Sequence, residues 1–416
     1  MSNHRALYFA AVLLLALTVS CNKREVGHNF APLVERILSD TTRAEFRPLS
    51  SFDPKSTDGV ISLFGTPYEV ARMTEYLLSA DNFNNVDGSF KADSLPDFAG
   101  EMFSPVLDLA NSPYQDYIDV DSEMLLEDIV ARAFLSALDT AVFRSPSDTL
   151  PTYPRKKAKI VVFTSSLFSA LGAADVDTLN AVSGRKIPVI FAPAAMAEYL
   201  YIRHSKGMNV GVLTTPAVLG AGVYSSVFPK VLKEHADQKS TYSVFCPDTV
   251  RSEAGKLRSF LSMYGTSGVG GPLTAIIVDD ASVDMDAMRE AVDALVSSDA
   301  PQDVALKSHL AKDFELVSPD KAVAAVCYRL MRNRNIFTHK IAYPDAECFV
   351  TVPSYSVSPA VLDAMGAFAH GYKYDRIPDE GVSAFSVVPM KDDYFSRAFL
   401  EYLENYTPNL FSLYVR

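Results

Sequence analysis

Residues 159–166 read KIVVFTSS, 187–193 IPVIFAP, 209–215 NVGVLTT and 273–280 LTAIIVDD. Each is a short, nearly unbroken apolar run that stops at small polar residues or a proline, and helix-like spacing follows. A strand with one wet face alternates apolar and polar residues. A run without alternation is buried on both faces, as in parallel sheets covered by helices. The pattern continues outward in both directions. GVISLF at 59–64 leads into YEVARMTEYLL, and further short runs lie at 242–245, 314–319, 348–354 and 383–389. The last precedes a helical stretch, DYFSRAFLEYLENY. Strands that alternate with helices predict an α/β fold. Nine strands exceed one small sheet, so the expectation is two Rossmann-like lobes with parallel sheets. They divide near Ser205-Lys206-Gly207, with a first lobe at 58–205 and a second lobe plus C-terminal crossover segments at 206–416.

The chain has 416 residues, 48% hydrophobic and 21% charged, which is a globular composition. Its formal net charge of −12 excludes a general nucleic-acid binder, whose affinity needs clustered Lys and Arg. His4 and Arg5 precede ALYFAAVLLLALTV at 6–19, a run too short for a comfortable membrane span but of signal-peptide length. It ends at Ser20-Cys21. No later segment is long and apolar enough to span a bilayer. Residues 21–57 read as a tether and an entry helix, FAPLVERIL. Three cysteines follow at 246, 327 and 348; an odd number leaves at least one thiol unpaired, and a Cys327–Cys348 bridge stays open beside three buried thiols.

Residues 81–153 interrupt the alternation and read as an acidic insertion in the first lobe, with a helix of their own, SEMLLEDIVARAFLSAL. Fourteen acids between 81 and 150 face only Lys91, Arg132 and Arg144. Asp81, Asp87 and Asp93 lie in an Asn- and Gly-rich loop whose oxygens suit a hard cation such as Ca²⁺. The spacing does not match an EF-hand, and a solvated acidic loop would carry the same letters. Asp97 and Glu101 would share a face if Pro96 opened a helix, placing two carboxylates at a cleft edge. No other cofactor is implied.

In open α/β sheets, ligands bind beyond the carboxyl ends of the strands. Helix N-termini there offer free N–H groups. The residues at those points are Thr66, then Thr164, Ser165 and Ser166, then Thr214 and Thr215, then Asp279 and Asp280. They are the expected ligand contacts, although Ser, Thr and Asp also cap helices. Asp279-Asp280 favours a cation or hydroxyl, and the helix starts favour an anion. A zwitterion or a polyol reconciles the two.

Three resemblances follow. The apolar run closing on Ser20-Cys21 resembles a Bacteroidetes-type lipoprotein signal, with Thr18 where Leu is usual and Leu17 one place early. The resemblance implies that residues 1–20 are removed, that Cys21 is lipidated with palmitate, and that the body is attached to a membrane and faces the periplasm. An ordinary cleaved signal followed by a chance Cys is the alternative. Over about 158–320, the strand order is similar to type I periplasmic binding proteins. NVGVLTTPAVLGAGVY is also similar to the second-lobe opening of aspartate/glutamate racemases. That resemblance implies two catalytic Cys at strand ends, but the places read FTSS and VDDA. Without thiols, cofactor-free racemisation loses its acid and base. Gly268-Val269-Gly270-Gly271 precedes a strand and is no dinucleotide fingerprint. There is no HExxH, and the seven His show no ligand spacing. The leading expectation is a lipid-anchored envelope protein that binds a small amino acid-like or sugar-like solute between its lobes. The alternatives are a carboxylate- or metal-dependent enzyme on a racemase-like scaffold, or an envelope interaction protein with a degenerate pocket.

Overall fold

The computed structural model describes residues 29–247, 250–378 and 383–414. The signal segment and Cys21 lie outside them. The runs identified above become strands: β1 (Val60–Gly65), β2 (Met102–Leu107), β3 (Ala158–Phe163), β4 (Val189–Phe191), β5 (Asn209–Thr214), β6 (Thr241–Phe245), β7 (Leu273–Asp279), β8 (Leu310–Val317), β9 (Phe349–Pro353) and β10 (Phe385–Pro389). β1 and β3 are buried at every position, as unbroken apolar runs require. The first sheet runs β10-β9-β2-β1-β3-β4, with 345–346 as an additional short strand against β2. The second runs β8-β7-β5-β6. All ladders in the two sheets are parallel except β9–β10, which is antiparallel. Residues 209–317 therefore build the second sheet, and the chain beyond them returns to complete the first. The fold is α/β with two parallel-sheet lobes.

Helices α1 (Pro67–Ser79), α2 (Glu123–Ala137), α3 (Ala192–Arg203), α4 (Val223–Glu234), α5 (Glu253–Thr266), α6 (Met285–Ser297) and α7 (Pro319–Arg334) cover the sheets. α1 starts with a capping box: the Thr66 hydroxyl accepts the Glu69 N–H, and the Glu69 carboxylate accepts the Thr66 N–H. Gly65, the last residue of β1, lies so close to the end of β3 that a Cβ there would overlap Thr164 Oγ1. The passage between lobes runs from α3 to β5. Beside it Glu315 of β8 accepts from Tyr199 of α3 at 2.7 Å and Lys321 of α7 at 2.8 Å. α7 packs on α1 and α3, so it carries the chain back across the lobes.

The 81–153 interruption is not a simple insertion, because it contributes β2, an inner strand of the first sheet. Pro105 in MFSPVL conceals it, since proline lacks the ladder donor and belongs at edges. On one side of β2 the neighbour is broken opposite this point. Residues 345–346 pair with Met102 and Phe103, and β9 resumes at Val106.

The acidic loop does not gather a cation site. Asp81 accepts the N–H groups of Asp93 and Ser94, Asp93 those of Asn85 and Leu95, and Asp87 that of Ser89. These carboxylates are used as turn acceptors, which is why Asn and Gly surround them. No group of three or more His, Cys, Asp or Glu able to hold a metal ion occurs among the described residues. Pro96 opens no helix. Asp97 accepts from Asn82 and Phe83, and burial raises it to about 6. Glu101 lies at the amino end of the sheet, away from the strand ends where a ligand would sit. It is 1% exposed and 2.7 Å from Lys159, which also donates to the carbonyls of Thr57 and Ile336. Cys327 and Cys348 are not joined by a disulfide, so the possible bridge is not made. Burial pushes Cys348 up to about 12.

The Lys159–Glu101 pair gives a stability prediction. Removing one member of a buried ion pair strands the other charge, at a cost of about 3–5 kcal/mol. Lys159→Met should lower unfolding free energy in urea by that amount. Lys159→Met combined with Glu101→Leu should recover most of it. A single-variant loss below about 1 kcal/mol would mean the pair is not buried in solution.

Candidate interlobe carboxylate site

The carboxyl ends of β3 and β7 face each other across the lobes. Asp279, the last residue of β7, is buried, and its two side-chain oxygens meet hydroxyls from different directions. Ser166, just past β3, donates to Oδ1 at 2.7 Å, and Tyr224 of α4 donates to Oδ2 at 2.9 Å. Ser166 stands at the N-cap of a four-residue helical turn but makes no side-chain cap; its hydroxyl crosses to the other lobe instead. Thr214 of β5 donates to the Asp279 carbonyl at 3.2 Å. Desolvation raises the Asp279 carboxyl to about 6. The Ser166 and Tyr224 hydroxyls restrain the rise, and the neighbouring Asp280 adds to it.

Two further acids approach from other elements. Glu69, held by the capping box of α1, lies 3.5 Å from the Thr164 hydroxyl and is raised by desolvation, with the facing Asp279 contributing. Asp320, at the start of α7, is buried and also raised by desolvation, which Arg72 partly offsets. Its Oδ1 has no hydrogen-bond partner. Arg72, one turn after Glu69, is the cation among them. Its Nε is 3.2 Å from Asp320 Oδ2, and Nη1 donates to the Ala281 carbonyl at 3.4 Å. Glu69, Arg72, Thr164, Asp279, Asp280 and Asp320 line a cavity of about 20 Å³, room for roughly one water. Three buried or partly buried carboxylates around one guanidinium cannot all ionise cheaply, so each holds its proton more tightly than an exposed carboxyl does.

The expected ligand contacts divide. Thr164, Ser166, Thr214 and Asp279 come together at the junction, and Ser165 is buried beside them. The hydroxyls of Thr66 and Thr215 cap α1 and a short helix at 216–220. Asp280 turns away: Oδ2 is 2.7 Å from Lys256 of α5, and Oδ1 accepts from Ser282. Burial alone would raise Asp280, but Lys256 and Ser282 outweigh it and hold the group below its ordinary value. Thr214, Thr215, Lys256, Asp280 and Ser282 border a larger groove of about 400 Å³ in the second lobe. Sequence reasoning missed Glu69, Arg72, Tyr224 and Asp320. Glu69 and Asp320 sit in ordinary helix-start positions, and only the meeting of α1, α7 and β7 gives them a shared cavity.

No protein-family model matches the chain, and no curated protein matches it. Solved structures do. Glutamate racemase isoform RacE1 from Bacillus anthracis is 13% identical, with 71% of this chain and 89% of that chain covered and a TM-score of 0.42. Glutamate racemase from Francisella tularensis in complex with D-glutamate is 14% identical, with 71% and 88% covered and a TM-score of 0.42. Aspartate racemase from Picrophilus torridus is 10% identical, with 67% and 94% covered and a TM-score of 0.34.

The Asp279 shift has a definite pH sign. A carboxyl raised from 3.8 to about 6 binds its proton more tightly folded than unfolded. Stability therefore falls as pH rises through that window, by about 2–3 kcal/mol in all. Asp279→Asn keeps an oxygen for Ser166 and removes the titration. The variant should gain on the wild type between pH 4 and 7 by roughly 1–3 kcal/mol in urea unfolding. A difference that stays flat over that range would show that Asp279 is not desolvated.

Proposed function

We propose that the interlobe cluster is an acid–base site for a small polar substrate, amino acid-like or sugar-like, in a protein held at the cell envelope through Cys21. The observation that carries the reading is Asp279: a buried carboxyl at about 6, between two hydroxyl donors, facing a second raised carboxyl on the other lobe. A group that titrates near the working pH both accepts and releases a proton readily. With Asp279 on one lobe and Glu69 on the other, one carboxylate takes a proton from the substrate while the opposite carboxylic acid returns one. Thr164 and Ser166 orient polar groups between them, and Arg72 balances charge. No thiol takes part. Admission requires the lobes to part, which breaks the Ser166–Asp279 bond and the Arg72 contact with the Ala281 carbonyl. Each such bond contributes about 0.5–1.5 kcal/mol net, so opening is affordable.

The cavity volume favours a second reading. About 20 Å³ admits no substrate in this state, so the cluster would serve only as a clasp in an envelope interaction protein with a degenerate pocket. Proton exchange separates the two. Purified protein is incubated in D₂O with amino acids, hydroxy acids and sugars, and loss of C–H signals is followed by NMR. The acid–base reading expects exchange with a pH limb near 6, abolished in Asp279→Asn, weakened in Glu69→Gln and intact in Cys246→Ala. If no compound exchanges or shifts the melting temperature while Asp279→Asn still folds, the clasp reading stands.

The anchor is tested separately. No helix among the described residues is long and apolar enough to cross a membrane. The proposed tie is Cys21, at the end of the apolar run 6–19. Wild type should incorporate labelled palmitate and fractionate with membranes. Cys21→Ala should do neither, and equal solubility of the two would defeat the lipoprotein reading.

A further inference from the structure

The second lobe has a groove of about 400 Å³ at the carboxyl ends of β5, β6 and β7, separate from the interlobe cavity and sharing Asp280 as a wall. Its volume falls within the range of small-molecule pockets, roughly 300–1,000 Å³. Lys256 lines it and is 7% exposed. An ammonium carries three N–H donors. Two are engaged, with Asp280 at 2.7 Å and Ser282 at 2.9 Å, which leaves one. Arg251 lines the groove just before Ser252 caps α5 and is exposed. Thr215 accepts the Val218 N–H, so its own O–H proton is still available to donate. Among the described lining residues the charged side chains are Arg251, Lys256 and Asp280. Pro216, Pro247 and Val250 supply apolar wall, which suits an organic body more than a bare ion.

We infer that this groove binds a small organic anion, its carboxylate or phosphate held by Arg251, Lys256 and Thr215 and its apolar part against Pro216, Pro247 and Val250. The site stands independently of any chemistry at Asp279. Lys256 is pre-positioned because Asp280 and Ser282 fix its rotamer, so little side-chain entropy is lost when the anion arrives.

The purified chain carrying Cys21→Ala is titrated by calorimetry with phenyl phosphate, benzoate, inorganic phosphate and benzylamine. The proposal expects binding of phenyl phosphate or benzoate, weaker binding of inorganic phosphate and none of benzylamine. Which of the first two is tighter distinguishes a phosphate from a carboxylate site. Arg251→Ala, at an exposed position that folding does not require, should weaken the tighter probe roughly tenfold, as loss of a charge-assisted contact does. Asp279→Asn should leave it unchanged, which separates this site from the acid–base reading. Benzylamine binding as tightly as benzoate, an unaltered affinity in Arg251→Ala, or no binding of either aromatic anion at millimolar concentration would each overturn the inference.

Discussion

The Ser166–Asp279–Tyr224 contact is the constraint around which the junction is organised. Two parallel sheets point their carboxyl ends at one another, and the acid at the end of β7 has to be satisfied there or remain protonated. Ser166 supplies a donor from the first lobe and Tyr224 one from the second. The same carboxyl therefore ties the lobes together and sits raised to about 6. Burial large enough to shift it is also burial that closes the space, which is why the shifted group and the one-water cavity occur together. Glu69 and Asp320 extend the effect. Each carries a helix start into the junction, and Arg72 stands between them.

The second lobe solves its charge problem differently. Asp280, adjacent in sequence to Asp279, finds Lys256 and Ser282 and lies below its ordinary value. Two neighbouring aspartates thus have opposite shifts: desolvation prevails at Asp279, which hydrogen-bonds only to hydroxyls, whereas Lys256 and Ser282 prevail at Asp280. The peptide between them divides a small acidic cavity from a larger groove bordered by Lys256 and Arg251. A polar substrate and an organic anion would be drawn to different sides of the same strand end.

At the far end of the first sheet, Lys159 and Glu101 form another buried ionic contact. Glu101 comes from the stretch that reads as an acidic insertion, and its partner is the second residue of β3. The stretch is structural at both its ends. Its acids accept backbone N–H groups around 81–97, and its strand β2 lies inside the sheet. Charge spread through such a segment says little about solvent exposure once each carboxylate has a local donor.

The α/β class and the buried parallel strands were legible in the sequence, because unbroken apolar runs between helices have few other ways to be buried. The clustering of Thr164, Ser166, Thr214 and Asp279 was legible too, since parallel strands collect their carboxyl ends at one edge. β2 was not, because Pro105 breaks the local signal and is tolerated only where the neighbouring strand is interrupted. The roles of Glu69 and Asp320 were not either. Each reads locally as a helix-start acid, and only the packing of α1 and α7 against β7 brings them to one cavity. The same holds for Thr66 and Thr215, whose letters fit a ligand contact or a cap equally well. Which of the two a hydroxyl becomes depends on the nearest unsatisfied donor or acceptor in three dimensions, and only the tertiary structure supplies that.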